Sequence, residues 1–399
     1  MPNLSQRQTM ANAIRALAMD AVQAANSGHP GMPMGMADAA TALFCDHMKF
    51  DPENPSWPDR DRFVLSAGHG STLLYSLLYL TGYANMTVDQ LRNFRQLGAR
   101  TAGHPEFGLA DGIETTTGPL GQGIANAVGM AMAERHLAAR YGDELTDHHT
   151  YVIAGDGCLM EGISHEAASM AGHMSLGRLI VLFDDNKISI DGSVDLAVSD
   201  DTTGRFQAYN WQVIKCDGHD MEAVSAAISA AKKDDRPSLI RCATVIGRGA
   251  PNKQGTADAH GAPLGEAEIA LARKALDWPC PPFEIPSDIL NAWRSAGARG
   301  SANYQAWQVR HKASPQRADF DAAINGAIDP AVNAAVVAWK DSLAVTPQKI
   351  ATRVASQRAI EAILPACPSL FGGSADLTGS NNTRVADHTI FDRNNYSGN

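Results

Sequence analysis

Gly155-Asp156-Gly157 and, after 28 intervening positions, Asn186 have the types and spacing to hold a metal-bound anion. A carboxylate and an amide oxygen, joined by backbone carbonyls and phosphate oxygens, make an all-oxygen donor set. Such a set suits Mg²⁺ or Ca²⁺ and not zinc, which takes His and Cys. The two glycines let the backbone approach a phosphate closely, and a helix opening after them aims its N-terminus at it. The triplet closes the apolar run Tyr151-Val152-Ile153-Ala154, and Asn186 closes Leu179-Ile180-Val181-Leu182-Phe183-Asp184-Asp185. Residues 161–174 between them read as a helix. The segment is therefore a β-α-β unit that delivers Asp156 and Asn186 to one edge of a parallel sheet, where open α/β sheets bind ligands.

Four of the 13 histidines, His29, His69, His104 and His260, sit in glycine-flanked loops where a strand or helix ends. Loops of this kind present imidazoles to ligands, whereas His136 and His173, on helix faces, read as surface or filler. One such histidine alone would ordinarily bind backbone, but four beside a single anion site read as a group. Their spacings fit no His-x-x-x-His zinc pattern, so they read as hydrogen-bonding and proton-transfer groups facing a hydroxylated substrate. Cys158 adjoins the phosphate motif without a base-and-orienter pattern, and core packing is the favoured reading for it.

These residues need a scaffold, and the apolar periodicity supplies one. Met10, Ile14, Leu17, Ala21 and Val22 form a helical stripe within residues 9–27, ended by Gly28. A Met- and Ala-rich helix follows to about Phe50, with Met32, Met34 and Met36 reading as core. Arg62-Phe63-Val64-Leu65-Ser66 reads as a buried strand, as do 211–214 and 238–246 with a helix over 220–233 between them. Residues 1–277 thus form one α/β domain, a doubly wound, mostly parallel sheet flanked by helices. Trp278-Pro279-Cys280-Pro281-Pro282 marks a change of regime, and 278–345 read as a connecting segment of polar helices and loops. Thr346-Pro347 reads as an N-cap with proline at the first helical position, opening a second α/β domain over 346–399. A domain whose first strand has only begun near Leu370-Phe371 is expected to be truncated.

The hydrophobic content of 44% with 19% charged residues is that of a globular protein. The formal net charge of −10 excludes nonspecific nucleic-acid binding as a function class, so an anionic substrate must be held by local groups. No apolar run is long enough to cross a bilayer, and the N-terminus lacks the apolar core of a signal peptide, so the expected location is the cytoplasm. Cys45, Cys158, Cys216, Cys242, Cys280 and Cys367 contain no Cys-x-x-Cys pair and read as reduced thiols.

The motifs carry a family resemblance. Ser27-Gly28-His29-Pro30-Gly31, Ser66-Ala67-Gly68-His69-Gly70-Ser71, Gly103-His104-Pro105-Glu106 and Thr115-Thr116-Thr117-Gly118-Pro119-Leu120-Gly121-Gln122-Gly123 resemble, in order, successive motifs of transketolase. So do Gly155-Asp156-Gly157-Cys158-Leu159-Met160-Glu161-Gly162, Asp185-Asn186-Lys187-Ile188-Ser189-Ile190-Asp191-Gly192, His260-Gly261-Ala262-Pro263 and Gly373-Ser374-Ala375-Asp376-Leu377. Related deoxyxylulose-phosphate synthases share the diphosphate motif but not typically the Gly-His-Pro-Gly and Gly-Pro-Leu-Gly-Gln-Gly segments.

The resemblance implies thiamine diphosphate with Mg²⁺, or Ca²⁺ or Mn²⁺, and transfer of a two-carbon ketol unit between sugar phosphates in the pentose phosphate pathway by a homodimer. It implies that Asp156, Asn186 and the Ile188 carbonyl hold the metal. Gly157, His69 and His260 would contact the diphosphate, Gly118, Pro119 and Leu120 would border the cofactor rings, and Ile190 would press beneath the thiazolium. His29, His69, His104 and His260 would line the donor channel. Arg353 and Ser380 match positions that hold the sugar phosphate. Asp376 either lies near cofactor or substrate or serves a turn, and Glu161 either couples two sites across a dimer interface or favours a helix dipole. Family members often carry two histidines where this chain has Ala257-Asp258-Ala259-His260. The family's glutamate that protonates the pyrimidine, a stacking aromatic and further acceptor-site residues lie beyond Asn399. The chain as it stands is accordingly expected to be catalytically incompetent. A dihydroxyacetone synthase would share nearly every motif, and a noncatalytic cofactor-binding fragment is the alternative from another class.

Overall fold

A computed structural model describes residues 3–386 and 388–399. The chain divides into two compact units, the first of residues 1–134 and 147–307, the second of residues 135–146 and 308–399.

In the first unit, a five-stranded sheet has the order β1-β2-β3-β7-β6, every pairing parallel: β1 Arg62–Leu65, β2 Thr150–Gly155, β3 Leu179–Asp185, β6 Gln212–Asp217 and β7 Ser238–Ala243. A two-stranded antiparallel hairpin, β4 Ile188–Ser189 with β5 Gly192–Ser193, follows β3. Thr150 to Ala154 and Leu179 to Asp184 are buried throughout, as continuous apolar runs must be when helices cover both faces of a parallel sheet. The apolar stripe near the N-terminus becomes the helix Leu4–Ala25. Asn3 Oδ1 caps it by accepting from Gln6 N at 2.8 Å, and Asn26 ends it in the left-handed region with φ 48°. Met32, Met34 and Met36 are core, as their spacing suggested.

Parallel strands share one carboxyl edge. The edge carries Gly68–Gly70 after β1, Asp156 after β2, Asn186 after β3 and Thr244 after β7, so residues far apart in sequence converge.

Three local expectations need correction. The helix read over 161–174 forms as Gly162–His173, but a short helix not read from sequence, Asp156–Met160, precedes it, and Glu161 between the two is extended at ψ 140°. Glu161 is therefore the residue before a helix and not part of its first turn. β7 stops at Ala243, since Thr244 turns its hydroxyl onto the Asp184 carboxyl. Thr346 ends a helix and does not start one. The cap-and-proline pair lies at Asp329-Pro330, where Asp329 Oδ1 accepts from Ala331 N at 2.8 Å and opens the helix Pro330–Val345; the next helix is Thr352–Ile363.

In the second unit, neither of those two helices buries a residue. The rings of His136, Phe371 and Phe391 pack at centroid distances of 5.3 to 5.9 Å. Among the described residues of 346–399 the β pairing is confined to an isolated Asp392–Asn395 bridge, so Leu370-Phe371 is not a paired strand. No described helix is long and apolar enough to cross a membrane.

Candidate active site

The four loop histidines form one cluster. His69 sits in the 3₁₀ turn Gly68–Gly70 at the end of β1, and His29 follows the first helix. His104 lies in the 103–105 loop, and His260 follows the 3₁₀ turn Ala257–Ala259. Ring centroids are 5.1 Å apart for His29 and His69, 5.2 Å for His69 and His260, 6.0 Å for His29 and His260, and 6.5 Å for His29 and His104.

Glycines permit these approaches. A Cβ at Gly31 would stand 2.5 Å from the Ala259 carbonyl oxygen, and Gly247 N donates to Gly31 O at 2.9 Å, so the His29 loop and the segment leading to His260 are packed backbone to backbone. Gly118, at φ +147°, would meet the His104 ring with any side chain.

Burial keeps the imidazoles neutral. It lowers His69 to about 3, aided by His260, His29 and His104, and lowers His29 to about 4, aided by Arg95, His260 and His104. Burial likewise lowers His104, with Arg95 assisting, and His260. Nδ1 of His29 and Nδ1 of His260 are buried with no hydrogen-bond partner among the described residues. An imidazole with a free ring nitrogen in a glycine-lined cluster is available to a hydroxyl or a phosphate oxygen.

Asp156 stands where β2 enters the short helix. Its Oδ2 is buried and unpartnered. Burial first, then the nearby Asp185 charge, pushes Asp156 up to about 6. Asn186 donates from Nδ2 to Asp184 Oδ2 at 2.8 Å and accepts at Oδ1 from Ile188 N at 2.9 Å, which fixes the amide's orientation. Asp184 is in turn pushed up to about 7 by burial while its carboxyl meets the Thr244 hydroxyl. A buried carboxylate oxygen without a donor, beside further carboxylates, is the environment a divalent cation relieves. Among the described residues no group of three His, Cys, Asp or Glu side chains could hold a metal, so amide, carbonyl and ligand oxygens would have to complete the set.

The neighbouring residues follow. Leu120 Cδ1 lies 2.9 Å from where a Gly157 Cβ would stand, which sets the Leu120 side chain against the Asp156 turn. Glu161 backs the Gly118-Pro119-Leu120-Gly121 segment: a Cβ at Gly121 would lie 2.8 Å from Glu161 Cβ. Ile190 is 61% exposed, and its Cδ1 is 3.2 Å from where a Gly261 Cβ would stand, which sets this bare apolar side chain beside His260. A cavity of about 460 Å³ is lined by His104, Glu106, Phe107, Thr117, Gly118 and Pro119, among others. Cys158 is 1% exposed with its thiol pushed up by burial, a core residue. In the second unit, Arg353 Nη1 donates to Ser380 O at 3.4 Å, and Asp376 adopts φ 53°.

Arg95 and Asp184 were given no role from sequence. Arg95, at φ 62°, donates from Nη1 to Ser27 Oγ at 2.9 Å and depresses two of the four histidines. A lone arginine in a polar loop carries no signal of this. Asp184 could have been found, because an acid closing an otherwise apolar buried strand needs a partner.

Residues 6–328 match the family model "Transketolase, thiamine diphosphate binding domain". The chain is 62% identical over 380 residues to the transketolase of Cereibacter sphaeroides, covering 95% of this chain and 58% of that protein. It is 55% identical over 390 residues to transketolase 1 of Escherichia coli K12, with coverages of 95% and 58%. The transketolase of Pichia stipitis crystallised with sedoheptulose-7-phosphate superposes with a TM-score of 0.93 at 42% identity, covering 99% of this chain and 60% of that one. The chain thus spans about three fifths of the length of these relatives. With the family model covering most of its residues, the chain belongs to the transketolase family and carries that family's thiamine diphosphate-binding domain.

Proposed function

We propose that the protein carrying this chain is a transketolase, which moves a two-carbon ketol unit from a ketose phosphate to an aldose phosphate. The observation that carries this reading is the cluster of four neutral histidines, with adjoining rings 5.1 to 6.5 Å apart, built around His69 at the sheet edge that also bears Asp156 with its unpartnered oxygen. Support also comes from the relatives, all transketolases, one of them crystallised with a ketose phosphate.

Thiamine diphosphate, when bound, supplies the carbanion chemistry. Asp156, the Asn186 amide oxygen and the Ile188 carbonyl hold Mg²⁺, with Ca²⁺ or Mn²⁺ as substitutes. Gly157, His69 and His260 meet the diphosphate. Gly118, Pro119 and Leu120 border the cofactor's rings, and Ile190, already exposed, covers its apolar face. His29 and His104, with His260, bind substrate hydroxyls and accept the proton released when the carbon–carbon bond breaks. Their neutral state at pH 7 fits them for both tasks, since a neutral imidazole offers one donor and one acceptor. Arg353 and Ser380 hold the sugar phosphate, with Asp376 nearby. Residues 346–399 begin the pyrimidine-binding domain, Glu161 lies at the interface of a homodimer, and the protein works in the cytoplasm.

The test is ketol transfer by the native protein from xylulose 5-phosphate to an aldopentose phosphate, with thiamine diphosphate and Mg²⁺. A seven-carbon ketose phosphate as product, lost in His29→Asn, supports the reading. Transfer to formaldehyde in preference to sugar phosphates would make the protein a dihydroxyacetone synthase, and cofactor binding without transfer to either would leave a binding module.

A further inference from the structure

We propose that Cys216 and Cys242 form a dithiol modification site, which a small disulfide such as glutathione disulfide converts to an intramolecular disulfide. Cys216 on β6 and Cys242 on β7 are directly paired in the parallel register, so their side chains project from the same face of the sheet. Neighbouring strands lie about 4.8 Å apart, within the Cα separations of about 4.4–6.8 Å that a disulfide spans. The Cys242 thiol donates to the Ile240 carbonyl oxygen of its own strand at 3.7 Å, a weak bond that leaves its sulfur free to react.

They are not equivalent. Cys242 is fully buried, while Cys216, on the edge strand, is partly exposed and lines a cavity of about 670 Å³ with Lys215, Asp217, His219, Arg241 and Thr244. The neighbouring Cys242 lowers the Cys216 thiol, while Cys216 and burial hold Cys242 well above the usual thiol range. Cys216 is therefore the attacking group and Cys242 the resolving one.

In the first step the Cys216 thiolate attacks one sulfur of the small disulfide, forming a mixed disulfide and expelling one thiolate. In the second, Cys242 gives its proton to that departing thiolate and attacks the Cys216 sulfur, expelling the second thiol. Two protein thiols are oxidised and one disulfide is reduced to two thiols, so electrons and protons balance. The crosslink would tie together the strand ends that lead to His219 and to Thr244, whose hydroxyl meets Asp184. The site does not depend on the proposed ketol transfer, and thiol chemistry reads it without any activity measurement.

The test incubates the purified protein with glutathione disulfide, blocks remaining thiols by rapid alkylation before denaturation, and maps the peptides by mass. The expected result is a Cys216–Cys242 crosslink reversed by dithiothreitol, absent in Cys216→Ser, with a lasting glutathione adduct on Cys216 in Cys242→Ala. Full alkylation of both cysteines in the treated protein, a stable adduct on Cys216 while Cys242 is alkylated, or a crosslink to any other cysteine would overturn the proposal.

Discussion

Replacing His69 by asparagine should make the first unit markedly more tolerant of acid. The folded His69 titrates near 3 because of burial and three neighbouring imidazoles, whereas an unfolded histidine titrates near 6.5. Since the folded value is depressed, no cost exists above pH 6.5, and stability is lost as the pH falls from 6.5 toward 3. At pH 5 the unfolded imidazole has gained about 1.5 units' worth of proton binding, about 2 kcal/mol at 1.36 kcal/mol per unit, and the folded one almost nothing. The figure hardly depends on the exact folded value, because any value below about 4 leaves the folded ring neutral at pH 5. Titrating groups remote from the cluster contribute equally to both proteins and cancel in the comparison. Trp57, Trp211, Trp278, Trp293 and Trp307 are all buried in the first unit, so tryptophan fluorescence during urea unfolding reports on it. Stability measured at pH 8 and pH 5 for both proteins should show the wild type losing about 2 kcal/mol more than His69→Asn. Equal losses would mean that His69 is protonated in the folded protein at pH 5, and the neutral-cluster account would fail.

Other variants test separate parts of the account. Asp38→Asn should cost about 3–5 kcal/mol in denaturant unfolding, since it strips the fully buried Arg15, paired at 2.5 Å, of its counterion; a loss under about 1 kcal/mol would contradict this. Gly31→Ala should destabilise by about 1–3 kcal/mol through overpacking against Ala259 and should weaken cofactor binding by displacing His260, whereas an unchanged affinity would separate the two loops. Ile190→Ala should leave stability within about 0.5 kcal/mol, as the side chain is exposed, yet reduce thiamine diphosphate affinity about tenfold, or about 1.4 kcal/mol; equal affinity would remove Ile190 from the cofactor site.

Much of the scaffold was legible because apolar runs and their glycine boundaries are local signals. The buried cores of β2 and β3 announce themselves as apolar runs, and their ends place Asp156 and Asn186 without any tertiary information. The histidine cluster was legible only as a set, through shared glycine-flanked loops. What failed depends on contacts distant in sequence or on backbone angles. The break at Glu161 has no proline or glycine of its own to signal it, and appears as one extended residue between two helices. The end of β7 is set by a hydroxyl reaching a carboxyl 60 residues away. At Thr346-Pro347 a capping signature opens no helix: Thr346 closes the helix Pro330–Val345, and the next begins only at Thr352.

The most direct measurement is calorimetric titration of thiamine diphosphate into the native protein, with Mg²⁺ and with a chelator, for the wild type and Asp156→Ala. The account predicts binding that requires the cation and is abolished by Asp156→Ala, because the proposed cation position is at the unpartnered carboxylate oxygen at the end of β2. Binding that is indifferent to both the chelator and the substitution would show that the diphosphate is held elsewhere.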